Sequence, residues 1–181
     1  MPTGAVLLFE DETIVRLFPG LRRAWSLSGE QAGVGISGRN DRRVLFGTIN
    51  MHTGHRIVLQ YPNMRQASFQ AFLQQLRRCY RHKQIWMILD KAGSHTTATS
   101  QAKAESLNIK LLWLPKQCPE LNAMDHLWRQ LKRDVSSNHQ YNSVEEHVQI
   151  AQQYILKLTM QEALRKAGIL SKNFWLKSFF K

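Results

Sequence analysis

Three aspartates stand where elements of secondary structure are predicted to begin or end. Asp11 follows a short apolar run, Asp90 follows a second one, and Asp125 lies in the first turn of a predicted helix. Ligand sites form outside the carboxyl ends of parallel strands, so these side chains can converge. Crowded carboxylates repel one another unless a cation neutralises them, and Mg²⁺ prefers carboxylate oxygens together with phosphate and water. Two such ions, roughly 3.5–4 Å apart, would stabilise the entering and leaving oxygens of a phosphodiester displacement.

Each aspartate also has a purely structural interpretation. Asp11 fits a solvated acidic turn, and Asp90 can start a loop by hydrogen bonding to the backbone. Asp125 can complement the dipole of its helix or pair with Arg129 four residues later. Residue types and spacing alone leave both interpretations open.

The elements that must position these residues alternate along the chain. Apolar runs predict five strands, at residues 5–10, 43–50, 55–61, 85–89 and 109–114. Helical spacing and capping residues predict helices at 69–80, at 96–106, and after Asn122, Ser143 and Thr159. Residues 21–40, which are rich in glycine, are predicted to be irregular, and Trp25 within them is expected in the core. An early hairpin followed by alternating strands and helices predicts an α/β fold with a mixed sheet flanked by helices.

Composition places the chain among single globular domains. It has 181 residues, of which 43% are hydrophobic and 21% are charged. Its longest apolar runs span about five residues, whereas a membrane helix needs roughly 20, so no membrane association is expected. The two cysteines, Cys79 and Cys118, exclude a disulfide framework and a four-cysteine zinc site, and they fit a reducing, cytoplasmic setting.

The charge balance indicates a polyanionic partner. Lys and Arg total 25 against 13 Asp and Glu, which gives a formal net charge of +12. Nucleic acid is the commonest partner of so basic a domain, and the affinity would then depend on salt. The alternative at this point is that the charge serves solubility alone.

Four segments carry a more specific signal. Residues 9–12 place an acid pair after an apolar strand, and residues 88–95 hold an aspartate followed by a histidine. Residues 114–125 run from Leu-Pro through Pro-Glu-Leu-Asn to an acid, and residues 126–133 add a tryptophan and Leu-Lys. Between Asp90 and Asp125 lie 34 residues. In these features the chain resembles the catalytic domain of the IS630/Tc1/mariner transposase superfamily, most closely the bacterial IS630 type.

The resemblance implies an RNase H-like fold over residues 1–181 as one domain, with a helical C-terminal extension from about residue 142. It assigns catalysis and metal binding to Asp11, Asp90 and Asp125, with two Mg²⁺ ions for which Mn²⁺ can substitute. It further implies cut-and-paste transposition in a bacterial cytoplasm, on the nucleoid when bound to DNA. Water would first hydrolyse phosphodiester bonds at the element's ends, and the freed 3′-OH would then attack target DNA.

Basic residues are the predicted contacts to DNA, both transposon ends and target. A solvated surface is the alternative for the arginines and lysines, and helix capping or loop structure is the alternative for the histidine. The predicted contacts are Lys91, His95, Arg129, Lys132, Arg133, Arg42 and Arg43.

The aromatic tail and the start of the chain bear on assembly. Phe174, Trp175, Phe179 and Phe180 either cap the core or dock on a second subunit, since a reaction on two DNA ends usually needs a homodimer. Relatives carry an N-terminal helix-turn-helix region, which we expect to be absent because the chain begins ten residues before Asp11. The expectation is either a truncated chain or a separate helix-turn-helix polypeptide.

Three departures from the family pattern keep other functions open. Asp125 stands where most bacterial relatives have Glu, Lys91 replaces Asn, and Ala123 replaces Pro. One alternative is a catalytically inactive DNA-binding remnant or interaction module. The other is a nuclease of the same fold without strand-transfer activity.

Overall fold

A five-stranded mixed sheet crosses the centre of the protein in the computed structural model, which describes residues 4–180 and the side chains of residues 4–177. Its strand order is β3-β2-β1-β4-β5. The strands are β1 (Val6–Arg16), β2 (Arg42–Asn50), β3 (Arg56–Tyr61), β4 (Ile85–Leu89) and β5 (Ile109–Trp113). β1 pairs with β2 antiparallel and with β4 parallel, and β4 pairs with β5 parallel. The mixed sheet predicted from the sequence is therefore present.

Helices cover both faces of this sheet. The helices are α1 (Gln66–Cys79), α2 (Gly93–Thr96), α3 (Ala98–Ser106), α4 (Ala123–Leu131), α5 (Val144–Lys157) and α6 (Met160–Lys166). Short 3₁₀ turns lie at Pro119–Leu121 and Trp175–Phe180, and a π-helical turn at Lys132–Ser136 follows α4. The helix predicted at 96–106 corresponds to α3, which begins at Ala98 because Thr97 is extended (φ −63°, ψ 144°) and caps it by accepting a hydrogen bond from the Ser100 amide. The short helix α2 precedes it and was not predicted.

The alternation of side chains along β1 produces two hydrophobic cores. Leu7 and Phe9 lie in the core under α4, α5 and α6. Val6 and Leu8 lie in the core under α1 and α3. Successive side chains of a strand point to opposite faces. Odd-numbered residues of β1 therefore face α4, α5 and α6, and even-numbered residues face α1 and α3.

β1 is longer than predicted, which corrects the placement of the first acids. We predicted that the strand ends at Glu10 and that Asp11 follows it, but the strand continues to Arg16. β2 pairs with it without interruption as far as the Arg16–Arg42 pair. The apolar run ends at three consecutive acids, and the hydrophobic pattern therefore predicted too short a strand. Pairing with β2 keeps the chain extended beyond these acids.

The segment between β1 and β2 is irregular over residues 21–40, as predicted, but Trp25 is fully exposed. The expectation that Trp25 lies in the core is therefore wrong. Residues 21–40 contain no strand or helix that could pack over the indole, which therefore stays in solvent. The start of this segment is fixed by Asn138, whose side chain accepts a hydrogen bond from the Arg22 amide and donates one to the Arg22 carbonyl.

The C-terminal helices cap the core beside β1. Ser143 and Thr159 cap α5 and α6 as predicted, and the Thr159–Glu162 capping box is reciprocal. Phe174 packs edge-on against Phe9 at 5.9 Å, which supports the core-capping role. The side chains of Phe179 and Phe180 lie outside the described residues. Within residues 4–180, no helix combines the length and apolar character needed to cross a membrane.

Candidate active site

A cavity of about 290 Å³ lies at the carboxyl ends of the parallel strands, and all three predicted aspartates line it. Asp11 comes from β1, Asp90 follows β4, and Asp125 lies in the first turn of α4. The loop after β5, at residues 114–119, forms another wall. The structure thus brings together residues that are separated by up to 114 positions in the sequence.

The pairing of β1 with β4 places Asp11 beside Asp90. The last parallel pair is Phe9 with Ile88, and each aspartate lies two residues beyond its member of that pair. Because side chains alternate along strands, Asp11 lies on the face of Phe9, under α4, and Asp90 follows the end of β4 beside it. Their proximity follows directly from the register.

Asn122 fixes α4 against β1 and so positions Asp125. Its Oδ1 accepts from the Met124 amide at 3.0 Å, which caps the helix. Its Nδ2 donates to the Glu10 carbonyl at 2.8 Å, so the same buried side chain ties the helix to the strand. The sequence indicated the cap, but the bond to β1 joins residues 112 positions apart and had no local signal.

Gly47 allows α4 to approach the sheet closely. It pairs with Asp11 across β1 and β2. A Cβ at this position would lie 2.5 Å from Met124 Cε and 2.5 Å from Trp128 Cζ2. A glycine inside a strand often marks such a close approach, and this was a usable sequence signal that we did not interpret.

The electrostatics of the cavity favour a bound cation. Burial and the carboxylates of Glu12, Asp125 and Asp90 raise the pKa of Asp11 to about 8. Arg129 Nε lies 2.9 Å from Asp125 Oδ2 and is half-exposed, which realises the ion pair considered from the sequence. Oxygen ligands near an open cavity suit Mg²⁺ or Mn²⁺, so the three aspartates fit such an ion by their donor chemistry and by the unmet charge at Asp11.

A second acidic cluster lies on the opposite face of β1. Glu10 and Glu12 alternate with Asp11 and therefore point toward α1 and α2, where they meet His95. Nε2 of His95 lies 2.9 Å from Glu12 Oε1, and Nδ1 lies 3.1 Å from Asp90 Oδ1. The ring also packs on Phe69 at 4.4 Å. His95 thus links the strand carrying Asp11 to Asp90 itself.

His95 offsets only part of the negative charge in this second cluster, because its ring faces three carboxyl groups. Burial alone would lower the pKa of His95, but the carboxylates of Glu10, Asp90 and Glu12 raise it to about 11. Burial and then Glu12 raise the pKa of Glu10, and neither of its carboxylate oxygens has a described hydrogen-bond partner. The hydrogen bond from His95 lowers the pKa of Asp90. An imidazolium between two carboxylates explains this arrangement.

A metal is the alternative occupant of the second cluster. Ligand atoms of Glu10, Glu12 and His95 lie within 4.8 Å of one another. However, a metal needs a free lone pair on His95, and both ring nitrogens already face carboxylates as donors. This buried cluster is therefore less suited to a divalent ion than the open cavity that the aspartates line.

The position of His95 corrects its predicted contact with DNA. Its side chain is only 1% exposed, because the short helix α2 directs it inward onto β1. A phosphate at the surface cannot reach it. His95 instead contacts Asp90 through Nδ1 and Glu12 through Nε2. Neither contact was predicted from the sequence.

The predicted basic contacts occupy different parts of the surface. Lys91 is exposed and lines the cavity, as does Lys116, which the sequence analysis missed. Arg129 lies at the cavity rim through its pair with Asp125. The remaining predicted residues do not line the cavity: Lys132 lines a neighbouring cleft, Arg133 pairs with Asp134, Arg43 pairs with Glu145, and Arg42 is exposed at the start of β2.

Comparison with known proteins places the chain in a family. A family profile described as "DDE superfamily endonuclease" matches residues 6–147, which include all three aspartates. The "Insertion element IS630 uncharacterized 39 kDa protein" of Shigella sonnei is 28% identical over 140 residues. Those residues are 76% of this chain and 41% of that protein.

Solved structures of similar fold include several of the Mos1 transposase. The "Mos1 transposase paired-end complex with left transposon end" has a TM-score of 0.72 and 17% identity, covering 95% of this chain and 54% of that one. The "Mos1 mariner paired end complex with Mn" has a TM-score of 0.73 and 16% identity, covering 93% and 53%. The chain therefore spans about half the length, or less, of these three proteins. These matches confirm the predicted RNase H-like fold.

Proposed function

The chain belongs to the DDE superfamily endonuclease family, and from this premise we propose that it is the catalytic domain of a DNA transposase. Its reaction would be metal-dependent hydrolysis at transposon ends, followed by transfer of the 3′-OH strand to target DNA. The observation that carries the proposal is the meeting of Asp11, Asp90 and Asp125 around one cavity.

Asp11, Asp90 and Asp125 would hold Mg²⁺ or Mn²⁺, and we propose two ions. Bound there, the ions would supply activation of the attacking oxygen and neutralisation of charge at the scissile phosphate. No covalent link between protein and DNA is needed.

The chain's own residues bind and orient the substrate. Lys91 and Lys116 are exposed at the cavity, where each would contact a DNA phosphate as a point charge. Arg129 would exchange its pair with Asp125 for a phosphate contact when a metal ion binds that carboxylate. His95 would orient the carboxylate of Asp90 through the hydrogen bond to its Oδ1.

The partners are also proposals. The Mos1 structures of similar fold include a paired-end complex with a transposon end and a strand transfer complex. By analogy we propose transposon ends and target DNA as the substrates and a homodimer as the active form. We further propose that a separate helix-turn-helix polypeptide recognises the ends. The bacterial cytoplasm, on the nucleoid, would be the site of action.

Metal binding by the aspartates gives the first test. Mn²⁺ is titrated calorimetrically into the chain and into Asp90→Asn, with DNA carrying a free 3′-OH present so that phosphate can complete the site. We expect binding by the wild type and its loss in the variant, because Asp90 supplies a ligand. Nicking and strand-transfer assays on the same DNA then separate a transposase from a nuclease that cannot join strands.

A catalytically inactive DNA-binding remnant is the second candidate. The observations that favour it are Lys91 at the cavity and the ion pair of Arg129 with Asp125, which compete electrostatically with a metal. If both proteins are folded and neither binds Mn²⁺ while DNA still binds, this second candidate replaces the first.

A further inference from the structure

A second cleft, of about 440 Å³, lies where α1 ends, and its lining is entirely basic or imidazole in character. The lining residues are Arg77, Arg78, Arg81 and His82, and Lys83 follows in the chain. Arg78, Arg81, His82 and Lys83 are all exposed. Five such residues within seven positions make this the densest cationic cluster of the chain.

No carboxylate neutralises this cluster in the described part of the chain. Arg78 donates only to Gln75 Oε1, at 3.5 Å, and Arg77 Nη1 donates to the Leu107 carbonyl at 3.2 Å. A cation in the last turn of a helix complements the helix dipole, which accounts for Arg77 and Arg78. It does not account for Arg81 and Lys83, which lie beyond the end of α1.

Two further features favour an anion in the cleft. Arg77 Nη2 is buried and has no described hydrogen-bond partner, so the charge of its guanidinium adds to that of the exposed cations with no acceptor to offset it. His82 has a φ of 63°, a left-handed conformation that non-glycine residues adopt uncommonly and that concentrates at functional positions. An incoming oxyanion would contact the exposed side chains of Arg78, Arg81 and His82 and draw them together.

The cleft lies at the end of the sheet opposite the aspartates. Gln84 connects it to β4, where the Val6 amide donates to the Gln84 carbonyl, and Asp90 follows the far end of the same strand. β4 has five residues, so the two sites are separated by at least about 16 Å of strand. A phosphate in the catalytic cavity therefore cannot also occupy the cleft.

We propose that this cleft binds a backbone phosphate of duplex DNA, on a surface distinct from the one that presents DNA to the aspartates. The choice of DNA over a free phosphate rests on the proposed function, while the anion chemistry rests on the cleft alone. Contacts of this type position a duplex without reading its sequence.

The two cysteines report on the two sites separately. Cys79 is exposed and adjoins Arg78, whereas Cys118 lines the catalytic cavity. Their alkylation rates are measured by mass spectrometry with and without a 30-base-pair duplex. Slower alkylation of Cys79 supports the cleft, and slower alkylation of Cys118 supports the proposed function. Protection of Cys118 without Cys79 overturns the cleft proposal and leaves the function intact.

Salt dependence of duplex binding provides the second measurement. Each lost phosphate contact should flatten the slope of log K against log salt by about 0.9. The Arg78→Gln/Arg81→Gln double variant should therefore have a slope shallower by about 1–2. The control, Lys157→Gln/Lys172→Gln, removes the same charge from exposed residues outside both sites and should shift the slope less.

Two outcomes contradict the proposal. An equal slope change in both double variants shows that only net charge matters. Protection of Cys79 by inorganic phosphate, at the same phosphate concentration as the duplex supplies, shows that the cleft takes a small anion rather than DNA.

Discussion

Three neighbouring acids acquire different chemistry because a strand alternates its side chains. Asp11 faces the open cavity with Asp90 and Asp125, whereas Glu10 and Glu12 face the buried ring of His95. Asp90 joins the two groups, since His95 bonds to its Oδ1. At the scale of single residues, His95 bonds to both Asp90 and Glu12 and so orients Asp90, one of the proposed metal ligands.

The two ring nitrogens of His95 can be tested separately. In His95→Asn the amide nitrogen lies near the position of Nδ1 and can still donate to Asp90. In His95→Gln it lies near the position of Nε2 and can reach Glu12 only. Removing a partner of a metal ligand typically costs about 10–100-fold in metal affinity, so we expect that loss of Mn²⁺ affinity in His95→Gln and a smaller loss in His95→Asn.

Both variants lose the same ring contact with Phe69. Thermal denaturation should therefore show that they are destabilised to a similar extent. Calorimetric Mn²⁺ titration then isolates the orienting role. Equal Mn²⁺ affinities in the two variants would mean that His95 is only structural.

At the scale of elements, the position of α4 determines whether the third aspartate reaches the other two. Asn122 bonds the start of α4 to the Glu10 carbonyl, and Gly47 leaves room for Met124 and Trp128 on the sheet. α4 carries Asp125 on the turn directly after Asn122. A small displacement of this helix would therefore move one proposed ligand relative to the other two.

Gly47→Ala tests this dependence. The added Cβ would lie 2.5 Å from two side-chain atoms of α4, and such overpacking costs about 1–3 kcal/mol. We expect a lower free energy of unfolding and, in the protein that stays folded, weaker Mn²⁺ binding. Urea denaturation and calorimetry measure the two effects.

Gly35→Ala is the matched control, because nothing lies within 4 Å of its added Cβ. It should leave both quantities unchanged. Unaltered Mn²⁺ affinity in a destabilised Gly47→Ala would show that α4 does not set the geometry of the site.

At the scale of the whole molecule, positive charge is spread over the surface while the buried acids concentrate around β1. The net charge is +12, yet Glu10, Asp11 and Glu12 stand together on the central strand of the sheet. This contrast makes the site a local negative centre in a basic protein. The fold holds these acids at a cost in free energy, which a bound cation would reduce.

The pH dependence of stability should reveal this cost. The pKa of Asp11 rises from 3.8 when unfolded to about 8 when folded, so the folded state binds the extra proton between these values. The free energy of unfolding of the metal-free chain should then fall as pH rises from about 4 to 8, by on the order of a few kcal/mol. The raised pKa of His95, from 6.5 to about 11, continues the fall above pH 6.5.

Asp11→Asn should flatten this fall below pH 8, because it removes the titrating group. The check is urea denaturation of both proteins at pH 5 and pH 8 with a chelator present. A wild type whose stability rises over this range contradicts the prediction, and Mn²⁺ at pH 8 should restore stability to the wild type more than to the variant.

The sequence by itself determined the elements whose signals are local. Apolar runs predicted the five strands, capping residues marked the starts of α4, α5 and α6, and the four motifs identified the family and the three aspartates. Each of these signals is carried by residues close together in the chain. The mixed sheet and the convergence of the three aspartates at its carboxyl edge could accordingly be predicted before any coordinates.

The tertiary structure alone decided what depends on distant partners. Pairing with β2 carried β1 past the acids to Arg16, and the packing of α2 buried His95 between Asp90 and Glu12. Trp25 stayed in solvent because no element packs over its segment. A residue's type limits its chemistry, but its burial and partners are set by segments that meet only when the chain folds.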